Sequence, residues 1–246
     1  MPEITTAERA GVGPDGRPRP TEDRIVVLDN AVVLLDGATS PTPRERDGGW
    51  HSAHLAAQLR SLDPDADLAD QLADAIARLA AEHGLTPGDS PSSTVAVVRW
   101  TDDVVDALVL ADSPVVVFGR TTEVVSDDRL RDLRGKVAEV TAWRNREGGF
   151  WVAEADPAAA HRAVRRSWPR DEVHTVLMAT DGVSCGVDDY GLFADWRSVL
   201  EITSAKGPEA VLDAIREAEA NDPERVRWHR PKVHDDQAFA VLRFTP

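Results

Sequence analysis

The sequence predicts an α+β layered sandwich, and three observations carry that expectation. Val-rich apolar runs arrive in groups, at 25–28 with 31–35 and then at 94–100, 104–111 and 114–119, so antiparallel pairing is expected. Amphipathic stretches come two at a time, at 50–62 with a segment opened by Asp67, and at 195–204 with 207–221. No regular alternation of single strands with single helices is present, which argues against a doubly wound parallel sheet.

The elements follow in order. Residues 1–21 are rich in Gly, Pro and Thr without periodicity and read as a flexible N-terminal arm, leaving 22–246 as one domain. The runs 25–28 and 31–35 are separated by Asp29 and Asn30, a two-residue hairpin signal. In that register 28 faces 31, and Asp23 therefore faces Asp36. Residues 38–49 form a polar loop, and a helix follows over 50–62. Asp67 caps a second helix with Leu68, Leu72, Ile76 and Leu79 on one face, and Gly84 and Pro87 end it. Residues 128–150 read as a helix followed by a loop, and Pro157 opens a short basic helix running to Trp168. A strand over 173–180 ends at Asp181 and Gly182, and the last strand spans 237–244.

Composition narrows the function. With 43 acidic residues against 28 Lys and Arg, the formal charge is −15, and such a surface repels nucleic acid and anionic membranes. A 42% hydrophobic content in 246 residues supports a folded core. Cys185 is the only cysteine, so neither an intramolecular disulfide nor a cysteine zinc cage can form. No apolar run reaches the ~20 residues that span a bilayer, and no secretory leader pattern opens the chain, so a cytoplasmic location is expected.

The chemistry concentrates in acids at strand ends: Asp36, Asp112, Asp181, and Asp235 with Asp236. Taken singly, each is a turn former. The hairpin register is more telling, because directly opposed carboxylates destabilise a sheet unless a cation lies beside them. Glu22 adds a further acid at the same end. Oxygen ligands without cysteine select hard cations, Mg²⁺ or Mn²⁺, and carboxylates around two such ions make a phosphoryl-transfer site needing no serine or cysteine nucleophile.

Six short stretches, in order, resemble the metal-dependent protein phosphatases of the type 2C (PPM) family, bacterial type. They are TEDR at 21–24, LDGA at 35–38, SSTVAV at 92–97, LADS at 110–113, ATDGV at 179–183 and DDQA at 235–238. The resemblance covers residues 22–245 and implies an αββα four-layer sandwich of two antiparallel sheets flanked by helix pairs. It implies a serine/threonine protein phosphatase in which Asp36 bridges two Mg²⁺ or Mn²⁺ ions and the Gly37 carbonyl completes one shell. Asp181 and Asp235 would ligate the second ion, and Glu22 or Asp23 would hold metal-bound water. Asp112 with Asp181 matches the position linked to a third, weaker metal in bacterial members. The hydroxide between the ions would attack the phosphorus of a phosphorylated protein substrate in line, and the enzyme would work as a monomer in a bacterial signalling pathway.

The chain also departs from the family pattern. Ala38 stands where some members carry a proton-donating His, Thr39 and Ser40 replace a Gly-rich stretch, and Ala111 and Ala238 replace Gly and Thr. Pro18 stands where animal enzymes carry the phosphate-binding Arg, which leaves Arg17, Arg19 or Arg24 as substitutes. Arg146, in the basic and aromatic stretch from 145, is a further substrate-binding candidate. His51 is a candidate general acid, against the plainer reading of a solvated surface group. His51 and His54, three apart, could also face one side as metal ligands. His234 adjoins Asp235, and Cys185 reads as a buried filler. Two alternatives use the same residues: a phosphatase-like module that binds phosphoprotein without turnover, and a small-molecule phosphatase.

Overall fold

The computed structural model describes residues 1–13, 15–38 and 45–245. Among the described residues, ten strands form two five-stranded sheets in which every strand pair is antiparallel. In chain order the strands are β1 (Glu3–Arg9), β2 (Arg24–Val27), β3 (Ala31–Leu35), β4 (Val95–Trp100), β5 (Val104–Leu110), β6 (Val115–Gly119), β7 (Thr122–Val125), β8 (Val164–Pro169), β9 (Val173–Ala179) and β10 (Gln237–Arg243). The helices are α1 (Gly48–Gln58), α2 (Leu68–His83), α3 (Arg129–Leu133), α4 (Asp181–Asp188), α5 (Trp196–Lys206) and α6 (Glu209–Ala220). One sheet runs β1-β10-β9-β6-β7 and the other β2-β3-β4-β5-β8.

Strand alternation sorts the core into layers. On β3 and β4, Val33, Leu35, Val95 and Val97 face α1 and α2, meeting Leu55, Leu72, Ile76 and Leu79. The intervening Val32, Leu34, Ala96 and Val98 face the other sheet, meeting Val115, Val176, Met178 and Ala240. On the far side, Val116, Leu177, Phe239 and Val241 pack under Val199, Leu212 and Ile215 of α5 and α6. Period-two side chains thus fill three apolar layers, and burying each large aliphatic contributes roughly 1.5–3 kcal/mol. The αββα expectation holds.

Local signals hold as well. The Asp67 side chain accepts from Ala69 and Asp70 at the start of α2, and Gly84 ends that helix in the left-handed conformation at φ 61°. The β2–β3 ladder pairs Arg24 with Leu35 and Val27 with Val32, which is the register set by the Asp29-Asn30 turn. In the loop over 38–49, residues 39–44 lie outside the described residues, and so does the Thr39-Ser40 departure from the family pattern.

Three expectations are corrected. Residues 3–9 are not a mobile arm: β1 pairs along its whole length with β10, so the folded unit begins well before residue 22. Its Ala7 is buried against the α5–α6 layer and its Ile4 packs on the inter-sheet core, two apolar contacts too few to leave a periodic signal. The basic stretch after Pro157 is one 3₁₀ segment (Pro157–Arg162) and then the edge strand β8, which pairs with β5. Val164 and Trp168 turn toward the inter-sheet core, so the ladder overrides the helix-like spacing of the arginines. Strand β7 and helix α4 went unread, because each is short and α4 is opened by the turn-like pair Asp181-Gly182.

Candidate active site

The strand ends and loops holding the acidic motifs meet at one end of the sandwich. Asp36 follows β3, and its backbone is pinned on both sides. Its N–H donates to Thr94 Oγ1 at 3.0 Å, and its carbonyl accepts from the Thr94 N–H at 2.9 Å. Thr94 Oγ1 in turn lies 2.7 Å from Ser113 Oγ, beside Asp112. Gly37 packs on Gly48, where an added Cβ would come within 2.5 Å of the Gly48 carbonyl carbon, so the Asp-Gly pair is sterically required.

The other acids arrive from the second sheet. Asp181 is the first residue of α4, directly after β9. A side chain on Gly182 would collide with the Asp236 carbonyl, which explains the Gly after Asp181. Thr180 joins the two sheets: its hydroxyl donates to Asp23 Oδ2 at 2.8 Å and accepts from the Ala238 N–H at 2.9 Å. Asp181 lies close enough to Asp36 for the two carboxyl groups to act on each other.

These carboxylates are close enough to disturb one another. Burial raises Asp36 well above the usual carboxylate range, reinforced by the charges of Asp23, Asp181, Asp235 and Asp112. Asp23 is raised in the same way, by burial first and then by Asp236, Asp181 and Asp235, against the lowering hydrogen bond from Thr180. Asp181 is pushed up to about 7, by burial and then by Asp235 and Asp112. Asp112 is raised by burial despite Arg134, whose Nη2 lies 3.5 Å from Oδ2. Asp23 Oδ1 is buried with no hydrogen-bond partner, a cost that a cation would remove. Among the described residues, no three His, Cys, Asp or Glu side chains already stand in closed coordination geometry. The acids therefore share a field and not a finished cage.

At the edge of the cluster, two cations are already in place. Arg19 Nη2 lies 2.7 Å from both Glu22 Oε2 and Asp236 Oδ2. Lys232 Nζ lies 2.7 Å from Asp235 Oδ1, 3.9 Å from Asp236 Oδ2 and 4.0 Å from Glu22 Oε2, with its side chain 6% exposed. Burial acts to lower the Lys232 pKa, but Asp235 more than offsets it and the net direction is up. Asp236 Oδ1 also accepts from the Gly11 N–H at 2.8 Å, so the segment after β1 buttresses the site.

Among the sequence candidates, Asp23, Asp36, Asp112, Asp181 and Asp235 act on one another within this cluster, and Gly37 adjoins Asp36. Others are corrected. Arg19 is the counter-ion of Glu22 and Asp236, not an arginine free for substrate. Arg24 spends its guanidinium on the backbone carbonyls of Thr21 and Asp23, at 2.7 and 2.6 Å. His51 is fully buried, not solvated, with Nδ1 3.1 Å from Ser93 Oγ and Nε2 unpartnered. Burial lowers its pKa to about 4, so it is neutral at pH 7 and unsuited to general-acid work. His54 stacks on Trp50 and does not join His51 in a ligand pair. His234 turns away to Glu219, Nδ1 to Oε2 being 2.9 Å. Arg146 lies exposed on the turn before Phe150. Cys185 is a buried filler, its thiol pushed up by burial.

Sequence reading missed Lys232 and Thr180 as parts of the site. Lys232 left one signal, being one of three lysines in the chain and placed three residues before Asp235.

Comparison with known proteins agrees with this fold. The family model described as Protein phosphatase 2C matches residues 18–216. The serine/threonine phosphatase Stp1 from Staphylococcus aureus superposes with a TM-score of 0.65 at 15% identity, covering 100% of this chain and 96% of that one. The catalytic domain of PstP, solved with two manganese ions, gives a TM-score of 0.62 at 15% identity, covering 98% of this chain and 97% of that one. MsPP from Mycobacterium smegmatis, a PPM Ser-Thr phosphatase solved with cacodylate, gives 0.61 at 17% identity, covering 99% of this chain and 98% of that one. No curated protein matches the chain.

Proposed function

The chain belongs to the protein phosphatase 2C family, and we propose that it hydrolyses phosphoserine and phosphothreonine in proteins with two Mg²⁺ or Mn²⁺ ions held by Asp36, Asp181 and Asp235. The observation that carries the reading is the group of Asp23, Asp36 and Asp181, the first buried and the other two half-buried. Burial and mutual repulsion raise all three pKa values, and Asp23 Oδ1 has no partner. Such a group is costly for a protein with nothing to bind, and hard divalent cations suit an all-oxygen donor set.

In this reading Asp36 with the Gly37 carbonyl, Asp181 and Asp235 would hold the two ions, and Asp112 with Asp181 would offer a weaker third position. When bound, the ions supply an activated water and positive charge against the phosphoryl oxygens. The chain's own part is orientation. Thr94 fixes Asp36 through its backbone, Thr180 fixes Asp23, and Gly182 lets the Asp235-Asp236 loop close on α4. Arg146, exposed on the turn before Phe150, is a remaining substrate-binding candidate. The partner is a phosphorylated protein met by a monomer in a bacterial cytoplasm. Among the described residues no helix is long and apolar enough to cross a membrane.

The test is turnover of a phosphothreonine peptide and of p-nitrophenyl phosphate with and without Mn²⁺, against Asp36→Asn and Asp181→Asn controls. Mn²⁺-dependent peptide hydrolysis above those controls is expected. No hydrolysis above them overturns the enzyme reading in favour of a phosphoprotein-binding module. Hydrolysis of the small ester alone points instead to a small-molecule phosphatase.

A further inference from the structure

Lys232 is the cation that the family reading does not call for. Its ammonium is buried, touches Asp235 at 2.7 Å, and has Asp236 and Glu22 within 4.0 Å. Asp235 is also the carboxylate that the proposed function assigns to the second ion. A lysine ammonium on Asp235 Oδ1 weakens that carboxylate as a ligand, because it and a divalent ion a few ångströms apart in a partly buried site repel strongly. Arg19 makes no salt bridge to Asp235. It neutralises Glu22 Oε2 and Asp236 Oδ2, the second of which the Gly11 N–H helps to orient through Oδ1. Among the described residues, no salt bridge reaches Asp36, Asp181 or Asp23. Arg134, 3.5 Å from Asp112 and itself 56% exposed, acts on Asp181 only through its field.

We propose that Lys232 is a built-in placeholder at Asp235, so that the two divalent ions bind in sequence: one readily beside Asp36, the other only as Lys232 is displaced. The long, flexible lysine stem makes this exchange feasible where a guanidinium fork held by two carboxylates would not yield. The chain therefore binds its two ions with unequal affinity, and Lys232 sets the concentration of metal at which the site becomes complete. The inference rests on the proposed function, since it takes Asp235 as a ligand.

The experiment is a calorimetric Mn²⁺ titration of the full chain, read with the ¹⁵N signals of the lysine ammonium groups. The chain has three lysines, so assignment by Lys232→Met and Lys232→Arg is direct. Wild type is expected to show a tight event and a second one at least about tenfold weaker. The protected Lys232 ammonium signal should persist through the first equivalent and vanish with the second. In Lys232→Met the second event tightens by about tenfold or more, whereas Lys232→Arg keeps the gap or widens it. Two equal events in wild type, a second event unchanged in Lys232→Met, or a Lys232 signal indifferent to Mn²⁺ would each overturn the placeholder while leaving the phosphatase reading intact. Absence of any Mn²⁺ binding would overturn both. The wild-type titration and its ammonium signal decide the matter even if Lys232→Met fails to fold.

Discussion

The two halves of the acidic cluster are built from the same residue type and treated in opposite ways. On one side Asp23, Asp36 and Asp181 stand together with no salt bridge among the described residues, and burial and mutual repulsion raise their pKa values against the weaker field of Arg134 on Asp181. On the other, Glu22, Asp235 and Asp236 are held by Arg19 and Lys232. The uncompensated half stores electrostatic cost that a ligand can release. The compensated half spends its charge on holding the loops together. Burying carboxylates is thus a functional device only where the fold withholds the counter-ion.

The largest effect should come from the uncompensated half. Asp36→Asn is expected to lower Mn²⁺-dependent turnover by at least about a hundredfold. The same change should raise the melting temperature of the metal-free protein, by roughly 2–4 °C per kcal/mol of repulsion removed. A thermal melt in EDTA checks this, and a lower melting temperature would show that Asp36 is not a strained group.

Arg19→Met makes the opposite cut. It leaves Glu22 and Asp236 without their guanidinium, and breaking a buried ion pair from one side costs about 3–5 kcal/mol. Because the Arg19 side chain is 19% exposed, the lower end of that range is expected by urea denaturation. A loss as small as that of a surface pair would erase the distinction between the halves.

The third consequence concerns pH. Folding raises the pKa of Asp181 from 3.8 to about 7, so the folded metal-free protein holds more protons than the unfolded chain between those values. Its stability should therefore fall as pH rises through that window. Mn²⁺ should act in the other direction, stabilising little at pH 5.5 and strongly at pH 8, with proton release on binding. Melting curves across pH with and without Mn²⁺ test both signs at once.

The smallest effect is local. Ala111, next to Asp112, sits at φ 70°, a left-handed conformation that costs a non-glycine residue about 1–2 kcal/mol. Its methyl is 2% exposed and recovers part of that cost by packing with Phe150 and Val152. Ala111→Gly should stabilise by at most about 1 kcal/mol. That gain would mark the loop holding Asp112 as strained.

Legibility in the sequence followed the range of the interaction. The β2–β3 register could be read because a two-residue turn and a period of two leave one pairing, and Asp36 was placed at its strand end by that argument. The caps at Asp67 and Gly84 were legible for the same reason, since a helix end is satisfied by its own neighbours. Strand β1 and strand β8 were not, because each is defined by a ladder to a distant segment: Glu3 pairs with Arg243, and Val104 with Pro169. His51 looked like an exposed loop-side residue and is buried, because the helix face on which it lies is chosen by Ser93 across the sheet.

By itself, the sequence determined which acids end which strands, and hence that they would gather at one end of an antiparallel sandwich. Only the tertiary structure decided which of them keep their charge uncompensated. That choice depends on Arg19 reaching Asp236 across 217 residues of chain and on Lys232 turning back onto Asp235. Hydrogen-bond registers are set by neighbours along the chain, but a Coulomb field belongs to whatever the fold brings within a few ångströms.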